Sequence, residues 1–416
     1  MMRKPLLVAG WLMWNASAIT MGADFDLLIR GGHVIDPRNG RDAVADVAIA
    51  GDRIAEVAAG IDPARAARVA DASGLYVVPG LVDLHTHVFY GTEEHADYSN
   101  GWRAVPPDGF TFRSGVTTVV DTGGAGWRNF HQFKQQTIDR SLTRVLALLN
   151  IVGSGMKGDP VEQNLGDMDA RLTAQRARQF PGLIVGIKVA HYLGPEWDPV
   201  DRAVEAGRLA NVPVMVDFGR HTPPLPLSEL LLTHLRPGDI LTHAYAHVNG
   251  REPIVGNDGK VADFAWEARR RGVVFDVGHG GGSFVFRQAV PAVAQGFLPD
   301  VISTDLHVGS MNGGMKDLLN VMSKFLNLGM SVAQVVERAS WQPARVIHRE
   351  DLGHLTPGAV ADVAVLRLRE GAFGFLDIEG TRLAGTRKLE CELTVRAGQV
   401  VWDLNGMAAA NHYPTR

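Results

Sequence analysis

"VVPGLVDLHTHVFYG", residues 77–91, closes an apolar run with two histidines spaced by one residue. In an extended strand, side chains at i and i+2 share a face, so His85 and His87 project together while Thr86 points away. That spacing offers two imidazole donors to one metal ion. An H-x-H pair alone is a weak signal, because a lone buried histidine is more often a satisfied core residue. Its weight here comes from the segments that follow.

Seven further apolar strand candidates come after it: "GVTTVVDTG", "RVLALLNIVG", "GLIVGIKVA", "VPVMVDFG", "DILTHAYAH", "GVVFDVGHG" and "DVISTDLH". Most are separated by helical stretches such as "DMDARLTAQRARQF" and "GKVADFAWEARRRG". Eight strands in a βα rhythm, each a continuous apolar run, predict a closed parallel (β/α)8 barrel of the TIM type, with working groups at the strand C-terminal ends. A doubly wound open sheet is the runner-up; no G-x-G-x-x-G follows the first strand, which weakens a dinucleotide reading. The polar residues do fall late: strand four ends with Lys188, strand five with Asp217, strand six with His243 and strand eight with Asp305. A lysine inside a barrel is costly unless its charge is lost or matched. The ordinary account of Lys188 is a salt bridge with Asp217 or Asp305.

Composition narrows the chemistry. The chain has 416 residues, 46% of them hydrophobic, enough for one large domain and a smaller one. A formal net charge of -4 and the lack of a basic run with interleaved aromatics argue against nucleic acid as a partner. The single cysteine, Cys391, excludes an internal disulfide and a Cys-based zinc cluster, so a metal would need His and carboxylate ligands.

Short alternating segments with hairpin-type turns at Gly31-Gly32 and Gly51-Asp52 fill residues 24–74, and the same texture returns in 351–410. Both chain ends are therefore expected to pair into one small discontinuous β-sandwich domain around a barrel spanning 75–350. Two separate sets of edge strands are the alternative. Residues 1–18 read as a signal peptide: basic "MMRK", apolar "PLLVAGWLMW" and an A-x-A pattern at Ala16 and Ala18. The apolar stretch is too short to span a bilayer. This predicts a periplasmic or secreted protein with no membrane association after cleavage, whereas a start at Met21 would leave it cytoplasmic.

With these motifs in view, the sequence resembles the amidohydrolase superfamily of metal-dependent hydrolases. "PGLVDLHTH" resembles its strand-one signature, "GIKVA" the strand bearing its carboxylated lysine, and "ILTHAYAH" and "ISTDLH" its later His and Asp positions. Nearly the whole chain takes part in the resemblance, and "DGFTFRSGVTTVVDTG", "GWRNF" and "LNIVGSGM" look closest to the dihydroorotase-like amidohydrolase/deacetylase branch. The resemblance implies that His85, His87 and Asp305 bind one divalent ion, and that Lys188, carboxylated by CO2, bridges to a second held by His243 and a strand-five ligand. Carboxylation would turn a buried cation into an anion with an oxygen for each ion. Zinc is the expected metal.

One position departs from the family. The usual strand-five histidine falls on Asp217 in "VMVDFGRH". A carboxylate is a competent but harder ligand, which leaves three readings open: Asp217 holds the second ion, with manganese then an alternative to zinc; His221 reaches in as the ligand instead; or the site holds a single ion. The mechanism implied is hydrolysis by a metal-activated hydroxide, with Asp305 as the catalytic residue that takes the proton and returns it to the leaving group.

Candidate substrate-contacting residues are His279 in the glycine-rich turn after strand seven, His191 and Tyr192 after Lys188, Arg220 beyond strand five, and His307 beside Asp305. The long segment after His87 is expected to form a rim or lid. The expected function is cleavage of an amide or ester bond in a small acyl compound, of the deacetylase or N-acyl amino acid deacylase type. Cyclic amides, as for a dihydroorotase, and Xaa-Pro dipeptides are alternatives within the class, and a non-catalytic periplasmic metal- or ligand-binding module is the alternative outside it. Homo-oligomers are compatible with all of these readings.

Overall fold

The computed structural model describes residues 23–409, so the expected signal segment lies outside the described residues. Five strands come first: β1 (Leu27–Asp36), β2 (Arg41–Ala50), β3 (Arg53–Ala58), β4 (Val69–Asp71) and β5 (Tyr76–Pro79). Seven short parallel strands follow: β6 (Leu81–Thr86), β7 (Val116–Gly126), β8 (Arg144–Asn150), β9 (Ile184–Val189), β10 (Val214–Val216), β11 (Ile240–Leu241) and β12 (Val274–Phe275). The chain ends with β13 (Val363–Leu376), β14 (Arg382–Arg396) and β15 (Gln399–Asp403).

Both chain ends contribute to one sheet, ordered β15-β14-β13-β5-β1-β2-β3, with β4 beside β1. Its alternating strands bury Leu27, Ile29, Val47, Ile49, Val77, Val363 and Val395 in a core of their own. Gly31, at φ 71°, lies within the register slip between Ile29 and Gly32 in the β1–β2 ladder, a left-handed conformation that L side chains avoid. Because β5 pairs with both β1 and β13, the N-terminal part of this sheet runs to Pro79, past the boundary at 74 expected from composition.

Strands β6 to β12 form the second sheet in simple sequence order. Every residue of β6, β7 and β9 is buried, as their unbroken apolar runs require of strands covered on both faces. The eighth expected strand makes only single bridges, Asp276 to Val301 and Thr86 to Leu306, which link residues 301–306 to both edges of this sheet. A regular ladder is interrupted because Asp305 takes a left-handed conformation, φ 53°, and because Asp83 accepts from the Thr304 N–H (3.0 Å) and hydroxyl (2.5 Å). No helix among the described residues is long and apolar enough to cross a membrane.

Asp362 joins the two units. Its carboxylate meets Arg144 at the start of β8 (2.5 Å) and Arg396 at the end of β14 (3.4 Å), and it accepts from the Ala397 N–H (2.8 Å). All three charged side chains are less than a fifth exposed. Removing one member of such a pair leaves uncompensated charge, so Asp362→Ala is expected to destabilise the protein by roughly 3 kcal/mol. A urea midpoint equal to that of the parent would show that this junction contributes nothing.

Candidate metal centre

Three donors converge where β6 meets the 301–306 segment. Ligand atoms of His85, His87 and Asp305 lie within 4.8 Å of one another, and all three residues are buried. His87 Nε2 is 2.9 Å from Asp305 Oδ1, and His85 Nε2 is 3.6 Å from the same oxygen. Among the described residues this is the one group of three or more His, Cys, Asp or Glu so gathered.

The rings are held for ligation by their surroundings. The Thr242 hydroxyl donates to Asp276 (2.7 Å), which leaves its oxygen to accept from His85 Nδ1 (2.9 Å). That arrangement fixes the proton on Nδ1 and turns the free lone pair of Nε2 toward Asp305. Burial, followed by the neighbouring charge of Lys188, pushes His85 well below its ordinary range, so the ring is a neutral donor. His87 Nδ1 is buried without a hydrogen-bond partner. Burial opposes ionisation of Asp305, but the His87 hydrogen bond and the nearby His307 hold its carboxyl below the usual value. Two neutral imidazoles and an ionised carboxylate are the donor set of a divalent transition metal, and they fit one.

Lys188 lies beside this cluster, with Nζ 3.4 Å from His85 Nε2 and 3.5 Å from Met215 Sδ. It is 1% exposed, and no carboxylate comes within salt-bridge distance among the described residues, so the ordinary account as an ion pair with Asp217 or Asp305 fails. Burial lowers the pKa of its amine against the pull of Asp217 and Asp305.

Asp217 and His243 stand on the other side. His243 takes a left-handed conformation, φ 57°, and its Nδ1 bonds the Gly278 carbonyl (2.7 Å), which leaves Nε2 3.5 Å from Asp217 Oδ2. Gly278 is required here, since a Cβ would run into Thr242, His243 and His85. Burial disfavours the Asp217 anion, but His243, His191 and Lys188 together hold it well below the usual carboxylate range. Beneath them the buried Arg251 donates to the carbonyls of Phe218, His243 and Ala246 (3.2 Å each) and ties the two strand ends together.

The donors open into a cavity of about 420 Å³ lined by Tyr98, His191, Arg220, His243 and His307, among others. His307 Nε2 is 3.9 Å from Asp305 Oδ2. Arg220 sits exposed on the rim at φ 69°. Tyr98, from the long segment after His87, packs its ring 4.4 Å from that of His87, so this segment does form the rim of the site.

Three expected site residues are placed elsewhere. His279 is fully buried behind the glycine turn, with Nε2 on Lys324 (2.6 Å) and Nδ1 by the Gly280 carbonyl (2.9 Å), so it supports the turn and does not face the cavity. The Tyr192 hydroxyl donates to Glu196 (2.5 Å) in a small pocket on the far side of Asp217 and Phe218, which line both it and the cavity. His221 lines that same pocket alongside Asp217, with its ring 4.5 Å from Phe218 and outside salt-bridge distance of the Asp217 carboxylate. Thr242, Asp276, Arg251, Tyr98 and Glu162 escaped the sequence reading. Only Asp276 carried a signal, as the inward-facing polar residue that ends an apolar strand.

Residues 286–401 match the amidohydrolase family. The chain is 34% identical over 344 residues to a deacetylase of Agrobacterium fabrum, covering 80% of this chain and 81% of that protein. It is 30% identical over 385 residues to a deacetylase of Enterococcus faecalis, covering 91% and 99% respectively. The crystal structure of an adenine deaminase superposes with a TM-score of 0.81 at 29% identity, covering 91% of this chain and 100% of that one.

Proposed function

Since the chain belongs to the amidohydrolase family, we propose that it hydrolyses an amide or ester bond of a small acyl compound, in the manner of a deacetylase, with divalent metal bound at its barrel mouth. The observation that carries this reading is the convergence of His85 and His87 on Asp305, which lines the cavity, beside a Lys188 that has no carboxylate partner among the described residues. Both relatives being deacetylases favours an acyl substrate.

His85, His87 and Asp305 would hold one ion; Lys188 as a carbamate, Asp217 and His243 would hold another. Divalent metal bound there would lower the pKa of water toward about 7 and polarise an acyl oxygen. The chain's own groups do the rest. Asp305 keeps Oδ1 against His87 and turns Oδ2 toward His307, so one oxygen can anchor while the other takes a proton and returns it to the leaving nitrogen or oxygen. Tyr98 and the rim of the cavity screen the reacting groups from water.

The test is a screen of N-acetyl amino acids, acetate esters, lactams, dipeptides and adenine, run with zinc or manganese and again after chelation. Acyl amides or esters are expected to turn over fastest, with at least about 10²-fold loss on metal removal and recovery on its return, since even an outer partner of a metal ligand accounts for 10–100-fold. Undiminished turnover by metal-free protein defeats the metal-dependent reading; preference for adenine defeats the acyl one.

A further inference from the structure

Lys324 is a buried amine that the chemistry above does not use. It sits on the helix Leu318–Asn327 with 0% exposure, and among the described residues no carboxylate pairs with it. Burying an amine without a counter-charge is costly, and burial brings its pKa down to about 7. Its Nζ donates to the Gly314 carbonyl (2.7 Å) and lies 2.6 Å from His279 Nε2, over the Phe284 ring. The neutral and the charged amine both have the two N–H groups that these acceptors require.

His279 passes this contact on. The ring is fully buried and stacked on Phe284, with 4.6 Å between centroids, and burial keeps it neutral, well below its ordinary pKa. A lysine N–H on Nε2 leaves the ring proton on Nδ1, which donates to the Gly280 carbonyl (2.9 Å). One tautomer satisfies both neighbours, and it ties the glycine turn from behind to a helix that carries none of the metal-centre donors.

In front, the same turn meets Asp305. The His279 N–H donates to the Ser303 carbonyl (3.3 Å) and the Gly280 N–H to the Thr304 carbonyl (2.9 Å), which docks the turn along the strand-eight segment. A Cβ at Gly280 would stand 2.3 Å from Asp305 Oδ2, so the bare backbone packs directly on that oxygen. His87 holds the other oxygen at 2.9 Å. The carboxylate is gripped at Oδ1 and bounded at Oδ2 by the turn that Lys324 braces.

Resting on the proton-moving role proposed for Asp305, we infer that Lys324 and His279 are positioning residues, a buried relay that fixes Gly280 against Asp305 Oδ2 and so aims that oxygen at the leaving group. Neither side chain touches substrate; both act through the turn.

The experiment measures kcat, KM and zinc content of the zinc-loaded full-length protein, with the fastest N-acetyl amino acid or acetate ester of the screen above. Lys324→Met keeps the length of the side chain and removes the donor. It is expected to lower kcat by about 10–100-fold, as misplacement of a reacting group does, with KM within about two-fold of the parent and zinc content unchanged. The deciding readout is the same substitution in an Asp305→Asn background, where it should change kcat by less than about two-fold, because no proton-accepting oxygen is left to aim. Should Lys324→Met fail to fold, Lys324→Met/His279→Phe replaces both partners by apolar groups, keeps the stack on Phe284, and is put through the same pair of backgrounds. An equal loss with and without Asp305, a loss that follows zinc content, or no loss at all would overturn the proposal alone. An Asp305→Asn protein as active as the parent, or a parent that turns over neither substrate class, would overturn the functional reading and the proposal with it.

Discussion

Lys188→Ala is expected to lower kcat/KM by more than about 10²-fold, and a short acid such as acetate or propionate to restore part of the loss. The bound follows from the residue's proposed place. Losing a partner that merely orients a ligand costs 10–100-fold, and a group offering an oxygen to each of two ions should cost more. The chemistry depends on the amine being neutral. Burial lowers the lysine pKa, no carboxylate among the described residues pairs with it, and a neutral imidazole lies 3.4 Å away. A neutral amine can attack CO2, form the N–C bond and release one proton, which gives a carbamate. In the alanine variant a free carboxylate has room to stand in for it. Labelling with ¹³C-bicarbonate should give one carbamate resonance in the parent and none in the variant. A variant as active as the parent, or a parent with no such resonance, would remove Lys188 from the site.

Asp305→Asn is expected to lower kcat/KM by about 10³-fold, within the 10²–10⁴ range of positioned proton transfer. Asparagine matches aspartate in shape and tolerates the left-handed backbone that this position adopts, so folding should be retained. The amide keeps one oxygen as a weaker donor and cannot take the proton. Measuring the pH dependence of kcat/KM separates the roles: if Asp305 moves the proton, the acidic limb of the profile disappears in the variant. A profile of unchanged shape with weaker metal binding would leave Asp305 as a ligand only.

The parity of His85 and His87, the late polar residues of the other strands and the matching texture of the two chain ends were legible because each is a local pattern with a fixed period. The partners that tune those residues were not. Glu162 lies in the irregular loop after β8 and reaches His191 across 29 positions, and nothing in "PVEQN" marks it. Arg251 looks like any loop arginine until Phe218, His243 and Ala246 surround it with carbonyls. His279 misled in the opposite direction: its glycine-rich setting pointed to a ligand, whereas Lys324, from a distant helix, claims its ring. The irregular eighth strand was hidden for a similar reason, since Asp83 diverts Thr304 through contacts that hydropathy does not encode.

The order of strands in the terminal sheet also bears on how the chain is made. β5 takes one neighbour from β1, but its other neighbour, β13, begins at Val363, after the whole barrel has left the ribosome. At 5–20 residues per second, the stretch between Pro79 and Val363 takes roughly 15–60 s to synthesise. Throughout that interval Tyr76–Pro79 is an unpaired sheet edge carrying bare N–H and C=O groups, the kind that recruits a foreign strand. The nascent chain therefore passes through a window of aggregation risk set by its topology, and a chaperone that covers the first 80 residues would act there, well before any catalytic group is in place.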